Sequence, residues 1–342
     1  MLIRTTGEFL KMNIITVIGT RPQYIKLKPF HDYCKDNNIF NYIIDTNQHY
    51  SDNVSKNLVK ELDLKIDCNL KVKYNDEISF ISNSIISISN KLKELDFNRK
   101  DSIVIVVGDT NSTLVSALVA KKMGFKLAHI EAGIRCHNPD SPEEINRVTV
   151  DSIADIHFTS REKDGENVSN PFYVGDLEYS FLNSIIPVGE EVSYDGPILM
   201  TIHRQENMVK SRLVDLFEFC KKIKYPIIFP MHHRTKKYIE KNKIVMPYNI
   251  KEVEPVGFFE LIGLLKICRG VITDSGGITK TVPFFGKKAI VPMNKWEWDE
   301  VFKLNYATNK LDLDWFDDCK MSRNLNLYYV ENSCELIINK IS

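Results

Sequence analysis

The strongest constraint on the fold is the recurrence of short apolar runs that alternate with helical stretches. Such runs are rich in β-branched residues and nearly free of charge, which is typical of strands in a parallel sheet that is covered on both faces. Strand and helix alternate along the chain, so the sequence predicts right-handed βαβ units and an α/β fold. In the first half the runs are NIITVIG (13–19), NYIIDT (41–46), SIVIVVG (102–108), KLAHI (126–130), DIHFT (155–159) and FYVG (172–175).

The strand and helix pattern starts again in the second half of the chain. Its runs are GPILMTIH (196–203), YPIIFPMH (225–232), NIKEV (249–253), GVITD (270–274) and KAIVP (288–292). Between the halves, PVGEEVSYDG at 187–196 is acidic and contains Gly and Pro, as interdomain linkers do. We therefore predict two Rossmann-like, doubly wound domains with an active site in the cleft between them.

We place the domain boundaries from these patterns. Residues 1–186 are predicted to form the first domain, with 1–12 as an extension, and 187–330 the second. The apolar segment SCELIINKIS, within 331–342, is predicted to be a helix that packs back on the first domain.

Composition narrows the class of protein. Lys+Arg and Asp+Glu both number 45 among 342 residues, and nonspecific nucleic-acid or membrane binders are normally basic. We expect neither partner, and the N-terminus does not resemble a signal peptide, so we expect a cytoplasmic protein. The cysteines form no CxxC pair and indicate neither a zinc site nor a disulfide framework; they are Cys34, Cys68, Cys136, Cys220, Cys268, Cys319 and Cys334.

Polar residues follow the predicted strands of the first half. Asp109 comes directly after the strand that ends at Gly108, where Ser112 or Thr113 is a candidate helix cap. Glu131 follows the next strand. Ser141 and Pro142 then begin a helix whose first turn carries Glu143 and Glu144, an arrangement that ordinary helix starts also favour. Because successive loops bring acids to one sheet edge, we predict proton transfer there.

Basic residues and glycines follow other strands. Arg21 and Lys26 lie near a helix start, where an anion is favoured. In the second half, His203 and His232 end two strands. Ser275, Gly276 and Gly277 open a helix after VITD, so their backbone N–H groups are candidates to hold a diphosphate.

These motifs together resemble the non-hydrolysing UDP-N-acetylglucosamine 2-epimerase family. GTRPQ, NQHY, GDTNSTL, HIEAGIR, PEEINR, HRQEN, PMHHRTK and TDSGG stand in that family's order from about Asn13 to about Glu300. The resemblance implies a glycosyltransferase-B-like architecture and an isomerase that inverts C2 of a UDP-sugar. In that chemistry a base removes the C2 proton, UDP leaves from C1, a 2-acetamidoglucal forms, and UDP adds back after reprotonation of the other face. The resemblance implies no cofactor, no metal and a homodimer.

The resemblance also assigns site residues. The family's catalytic residues match Asp109, Glu131, Glu143 and His203. Residues assigned to substrate or UDP binding are Arg21, Lys26, Arg135, His232, Gly257, Phe258, Ser275, Gly276, Gly277 and Thr281.

The chain departs from the family pattern in two motifs. Where members usually have SGGIQEE, this chain has SGGITKT, so Thr281 stands where a ribose-binding glutamate is usual. WEWDE (296–300) replaces the usual TERPE and resembles the branch that acts on UDP-2,3-diacetamido uronic acids or 6-deoxy-HexNAc sugars. These remain alternatives to UDP-N-acetylglucosamine, as do a hydrolysing or glycosyl-transferring enzyme and a non-catalytic nucleotide-sugar binder.

Overall fold

The structure is a computed structural model that describes residues 12–48, 52–187, 189–204, 206–293 and 297–342, with the backbone alone for 52–56. The chain divides into two compact units: unit 1 holds the described residues up to Ile185 together with Tyr328–Ser342, and unit 2 holds Ile186–Leu327. The extension predicted at 1–12 lies almost wholly outside the described residues.

Unit 1 is built on a parallel sheet of seven strands in the order β3-β2-β1-β4-β5-β6-β7. Its strands are β1 (Asn13–Ile18), β2 (Asn41–Asp45), β3 (Cys68–Asn69), β4 (Ser102–Val107), β5 (Lys126–Ile130), β6 (Ile156–Thr159) and β7 (Pro171–Tyr173). Its helices are α1 (Arg21–Asp36), α2 (Asp52–Glu61), α3 (Glu77–Glu94), α4 (Asn111–Lys122), α5 (Pro142–Ile153), α6 (Leu177–Ile185) and α12 (Ser333–Ile341).

Unit 2 repeats the plan with a six-stranded parallel sheet in the order β10-β9-β8-β11-β12-β13. Its strands are β8 (Ile198–Thr201), β9 (Ile227–Pro230), β10 (Ile250–Val253), β11 (Gly270–Thr273), β12 (Ala289–Ile290) and β13 (Ala307–Thr308). Its helices are α7 (Lys210–Lys222), α8 (His233–Lys241), α9 (Phe258–Ile267), α10 (Gly276–Thr281) and α11 (Asp299–Lys303).

Both strand orders are those of a Rossmann-like sheet, which confirms the predicted fold class. The central strand β4 is buried at every position because helices cover both of its faces, as its unbroken apolar run predicts. The edge strands β3 and β13 were not predicted. Each has two residues, too few to produce an apolar run.

Two groups of helices pack together in unit 1. Helix α4 lies against α3 and α5, while α1 contacts α6 and α12. Helix α12 buries Ile337, Ile338 and Ile341, and Tyr328 meets the ring of Tyr179 edge-on at 5.0 Å.

In the parts of the chain that the structure describes, no helix has the length and apolar character that crossing a membrane requires.

Candidate active site

Two acids of unit 1 lie at the carboxyl ends of neighbouring strands. Strands β4 and β5 pair in parallel, and Asp109 and Glu131 follow them. A Cβ placed on Gly108 would stand 3.2 Å from Oε2 of Glu131, so the Glu131 carboxylate lies against the residue before Asp109. Gly108 has a φ of 71°, a left-handed conformation that glycine adopts without strain. The structure therefore brings both predicted acids to one edge of the sheet.

Glu131 is held in an unusual conformation. Its φ is 67°, which is uncommon for a residue with a side chain and is often found at functional sites. The residue is 7% exposed, and Nζ of Lys26 on α1 lies 2.6 Å from its Oε2. Lys26, assigned above to substrate binding, thus forms an ion pair with a predicted catalytic acid.

The two adjacent glutamates of α5 have different surroundings. Glu143 is exposed and accepts a hydrogen bond from the Ser141 hydroxyl at 2.7 Å, at the helix start that the sequence predicts. Glu144 is buried and accepts from the backbone N–H groups of Cys136 and His137 at 2.9 and 3.1 Å. Glu144 therefore fixes the loop before α5, and Glu143 is the acid that solvent reaches.

The same helix holds the Asp109 loop through two residues that sequence reasoning did not assign. Asn146 donates to the Asp109 carbonyl at 2.8 Å and to Oδ1 of Asn111 at 3.0 Å. The Arg147 guanidinium forms an ion pair with the Asp109 carboxylate. The sequence contained a signal for Asn146 and Arg147, because they lie three and four residues after Glu143 and therefore share one face of a helix with it. The cap of α4 is Thr110, so the predicted caps Ser112 and Thr113 were wrong.

The first loop of unit 1 is tied to the loop after β4 by a buried glutamine. Gln23 accepts from the backbone N–H groups of Gly19 and Thr20 and donates to the Val107 carbonyl at 2.7 Å. Arg21 is the first residue of α1, and burial lowers its pKa against an opposing effect of Glu61. The loop that carries Arg21 is therefore braced against the loop that carries Asp109.

Arg135 is engaged within unit 1. Its guanidinium donates to Oδ2 of Asp151 at 2.6 Å and to the Ile134 carbonyl at 2.8 Å. Burial alone would raise the pKa of Asp151, but its hydrogen bonds and charge interactions with His129 and Arg135 outweigh burial and lower it. The guanidinium assigned above to substrate binding is thus paired with a buried carboxylate of α5.

In unit 2, His203 follows β8 and pairs with an acid at the end of β11. Nδ1 of His203 lies 3.1 Å from Oδ1 of Asp274, while the imidazole is 53% exposed. Asp274 is fully buried and also accepts from the N–H groups of His203 and Arg204 and from Asn207. Burial would raise the Asp274 pKa, yet these partners, with His203 foremost, lower it. Asp274 therefore orients His203. The sequence reasoning did not assign Asp274, although its position directly after the apolar run VIT marks it as a residue at a strand end.

Three other assigned residues of unit 2 lie at helix starts. His232 caps α8, where its Nδ1 accepts from the N–H of Arg234 at 3.2 Å. Gly257 precedes α9 and donates its N–H to Glu260 at 2.8 Å, and Phe258, the first residue of that helix, is buried.

Two glycines begin α10 at positions where neither the backbone conformation nor the neighbouring side chains require glycine. Gly276 and Gly277 lack a positive φ, and an added Cβ would meet nothing closer than 3.5 Å. The space above them suits the close approach of a ligand to backbone N–H groups. Ser275 caps α10. Thr281 is buried and donates its hydroxyl to the Gly277 carbonyl, so that hydroxyl is used within the helix.

The groups of unit 1 suit acid–base chemistry, and those of unit 2 suit the binding of an anion. Unit 1 offers three carboxylates: Asp109 and Glu131 form ion pairs with Arg147 and Lys26, and Glu143 is exposed. Unit 2 offers an oriented histidine and an uncrowded backbone turn. Over the described ranges, no group of three or more His, Cys, Asp or Glu side chains could hold a metal ion.

Comparisons with known proteins point to one family. The family model described as UDP-N-acetylglucosamine 2-epimerase matches residues 32–311. The chain is similar to a UDP-N-acetylglucosamine 2-epimerase homolog of Methanococcus maripaludis, at 35% identity over 84% of this chain and 86% of the relative. It is also similar to the UDP-2,3-diacetamido-2,3-dideoxy-D-glucuronate 2-epimerase of Pseudomonas aeruginosa, at 34% identity over 85% of this chain and 86% of the relative.

A solved structure shares the architecture. The crystal structure of Methanocaldococcus jannaschii UDP-GlcNAc 2-epimerase, in complex with UDP-GlcNAc and UDP, matches with a TM-score of 0.83 at 30% identity. The match covers 96% of this chain and 99% of that chain.

Proposed function

The chain belongs to the UDP-N-acetylglucosamine 2-epimerase family, and from this premise we propose that it inverts C2 of a UDP-linked N-acetylhexosamine. The C2–H bond breaks as a base takes the proton, and the electron pair forms the C1–C2 double bond. The C1–O bond breaks in turn, and UDP leaves with its electrons. UDP then adds back to C1 as a proton is delivered to the opposite face of C2.

The observation that carries this proposal is the juxtaposition of Asp109 and Glu131 at adjoining strand ends, with Glu143 exposed at the start of α5. Inversion at carbon needs a proton acceptor on one face and a proton donor on the other, and carboxylates in different surroundings supply both. Carboxylates also stabilise the positive charge that develops at C1 as UDP leaves. Lys26 and Arg147 keep two of these acids oriented through ion pairs.

We propose that unit 2 binds the leaving group. The N–H groups of Gly276 and Gly277 suit a diphosphate, and the glycines leave room for it. The Ser275 N–H, which the sequence also offered for this role, instead donates to the Thr273 hydroxyl at 3.0 Å. His203, oriented by Asp274, is exposed and able to share a proton with a phosphate oxygen. Arg21, His232, Gly257 and Phe258 are proposed to complete the binding of the nucleotide.

UDP-N-acetylglucosamine is the first substrate to test, and a second candidate has its own support. The relative from Pseudomonas aeruginosa is named for UDP-2,3-diacetamido-2,3-dideoxy-D-glucuronate and is as similar to this chain as those named for UDP-N-acetylglucosamine. The Thr281 hydroxyl donates a hydrogen bond to the Gly277 carbonyl within α10, so we propose that Thr281 contributes little to ribose binding.

The purified chain should be incubated separately with each UDP-sugar, and the products resolved by proton NMR. We expect a mixture of the substrate and its C2 epimer, with the sugar still linked to UDP. Release of free sugar together with UDP would indicate a hydrolysing enzyme instead. Binding of UDP without conversion of either sugar would indicate a non-catalytic binder.

We also propose that the chain forms a homodimer through the layer of α3, α4 and α5. Helices α3 and α5 expose Ile78, Ile86, Ile145 and Val148 in one packed layer, and exposed apolar groups of this kind commonly mark interfaces. The double variant Ile86→Glu/Ile145→Glu should be a monomer in light scattering after size exclusion, whereas Val245→Glu, at an exposed site in unit 2, should remain a dimer. A monomeric unmodified chain contradicts this proposal.

A further inference from the structure

A buried histidine that the proposed chemistry does not use links the two strand ends that carry its acids. His129 is the fourth residue of β5, two residues before Glu131, and its side chain is fully buried. Its Nδ1 lies 2.7 Å from Oδ1 of Asp151 on α5. Its Nε2 lies 2.7 Å from the carbonyl oxygen of Gly108, the residue before Asp109.

Both partners of the ring accept hydrogen bonds. A backbone carbonyl has no proton to donate, so Nε2 must carry one. The other oxygen of Asp151 accepts from the Gly133 N–H at 3.1 Å and from Arg135 at 2.6 Å, as an ionised carboxylate does. Nδ1 therefore also has an acceptor opposite it. A neutral imidazole has one N–H and satisfies only one of these contacts, whereas an imidazolium satisfies both.

We propose that His129 is a positioning residue, protonated at both ring nitrogens, that fixes the loops after β4 and β5 relative to each other. Its Nε2 donates to the Gly108 carbonyl, and the Glu131 carboxylate lies beside the Cα of the same glycine. Asp151 extends the link to Gly133 in the loop after β5. The distance between Asp109 and Glu131 then depends on a ring that touches no substrate, and this role rests on the function proposed above.

The charged surroundings are consistent with a cation at this position. Asp151 on α5 is the acid that faces the ring, and Arg135 after β5 faces the other oxygen of the same carboxylate. His157 is the register partner of His129 on β6. It places Nε2 2.8 Å from the Asp151 carbonyl, and its buried Nδ1 has no hydrogen-bond partner among the residues that the structure describes. The ionised Asp151 carboxylate thus lies between the His129 ring and the Arg135 guanidinium.

Two variants distinguish the effect of losing the hydrogen bonds of the His129 ring from the effect of losing its second proton. Asp151→Asn has nearly the same shape, and its amide oxygen can still accept from Gly133 and Arg135. Its NH₂ group then donates to Nδ1 of His129, so a neutral ring keeps its bond to the Gly108 carbonyl. His129→Phe fills the space but loses both bonds, leaving that carbonyl and the Asp151 carboxylate with fewer donors.

The direct measurement is a long-range ¹H–¹⁵N NMR spectrum of the chain labelled at its eight histidines. The His129 signals are assigned by their loss in His129→Phe. At neutral pH we expect both ring nitrogens of His129 to carry protons in the unmodified chain, and Nε2 alone in Asp151→Asn. A neutral His129 ring in the unmodified chain overturns the proposal, whatever the activity measurements show.

Kinetics test the positioning role. His129→Phe leaves two buried acceptors without a donor, so we expect it to lose about 10- to 100-fold in kcat, with KM changed less than about threefold. Asp151→Asn should lose clearly less kcat. Thermal melts of both variants report folding separately. If the two variants lose kcat equally, or His129→Phe loses none, the positioning role is refuted. If the unmodified chain converts no UDP-sugar, the proposed function fails, and the NMR result still decides the protonation of His129.

Discussion

Replacing Asp45 with asparagine should stabilise the chain at neutral pH and have a smaller effect in mild acid. Asp45 ends β2 and is 3% exposed. It accepts hydrogen bonds from the Tyr24 hydroxyl, the Asn47 N–H and the Asn69 amide. Burial raises its pKa from 3.8 to about 6, and the hydrogen bonds from Asn47 and Tyr24 only partly oppose that effect.

The size and sign of the effect follow from this pKa. Since the folded pKa of Asp45 lies above the unfolded one, the folded chain binds more protons between pH 3.8 and about 6, and its stability falls as pH rises through that window. The full pKa shift of Asp45 corresponds to about 3 kcal/mol in the free energy of unfolding. Of this, about 1 kcal/mol is already lost at pH 4.5 and nearly all is lost at pH 7.5, so about 2 kcal/mol separates the two conditions.

Asparagine removes the charge but is a weaker acceptor. Its NH₂ group must replace either Oδ1, which accepts from the Asn47 N–H, or Oδ2, which accepts from the Asn69 amide. The Tyr24 hydroxyl lies 3.1 Å from both oxygens and can rotate to accept. Losing one hydrogen bond costs about 1 kcal/mol. We therefore expect Asp45→Asn to be about 2 kcal/mol more stable than the unmodified chain at pH 7.5 and roughly equal to it at pH 4.5.

Urea denaturation at the two pH values measures this difference, because every other carboxylate is common to both chains and cancels. Asp63→Asn removes one carboxylate charge at a side chain that is 87% exposed, so it is the matched control and should not reproduce the gain in stability at pH 7.5. An Asp45→Asn effect that is equal at both pH values, or larger in acid, would refute the argument from burial.

Three further substitutions test other parts of the account. Gly276→Ala adds a methyl group that meets nothing within 3.4 Å in the chain, so thermal stability should hold while UDP affinity falls by about tenfold or more; unchanged affinity by calorimetry would mean that no ligand approaches there. Arg147→Met removes the cation beside Asp109 and should lower kcat by about 10- to 100-fold with an unaltered circular dichroism spectrum, so a normal kcat speaks against Asp109 as a reacting group. Lys287→Met should destabilise unit 2 by about 2–4 kcal/mol in urea, because the fully buried ammonium donates to the carbonyls of Ser193, Lys266 and Cys268; a loss below about 1 kcal/mol contradicts this reading.

Apolar runs predicted the fold well because a strand covered on both faces must be apolar throughout. The long central strands such as β4 were found within a residue or two of their bounds. Strands β3 and β13 were missed because a two-residue edge strand is defined by its neighbour's hydrogen bonds, which leave no mark on its composition.

For the site, the sequence predicted which loops carry polar residues better than it predicted their partners. Asp109 and Glu131 lie together as expected, since both follow neighbouring parallel strands. The pairing of Arg135 with Asp151, and of His203 with Asp274, joins residues that are 16 and 71 positions apart. No local pattern encodes such contacts, because they depend on how a helix or strand packs on the sheet.

The central claim is that the strand-end acids move a proton at C2. Its most direct test is to incubate the unmodified chain and Glu131→Gln with UDP-N-acetylglucosamine in D₂O and to follow the C2 proton signal by NMR. We expect the signal to disappear with the unmodified chain as deuterium enters C2, and to persist with Glu131→Gln while UDP binding is retained. Equal exchange in the two chains, or epimer formed without deuterium at C2, would contradict the account.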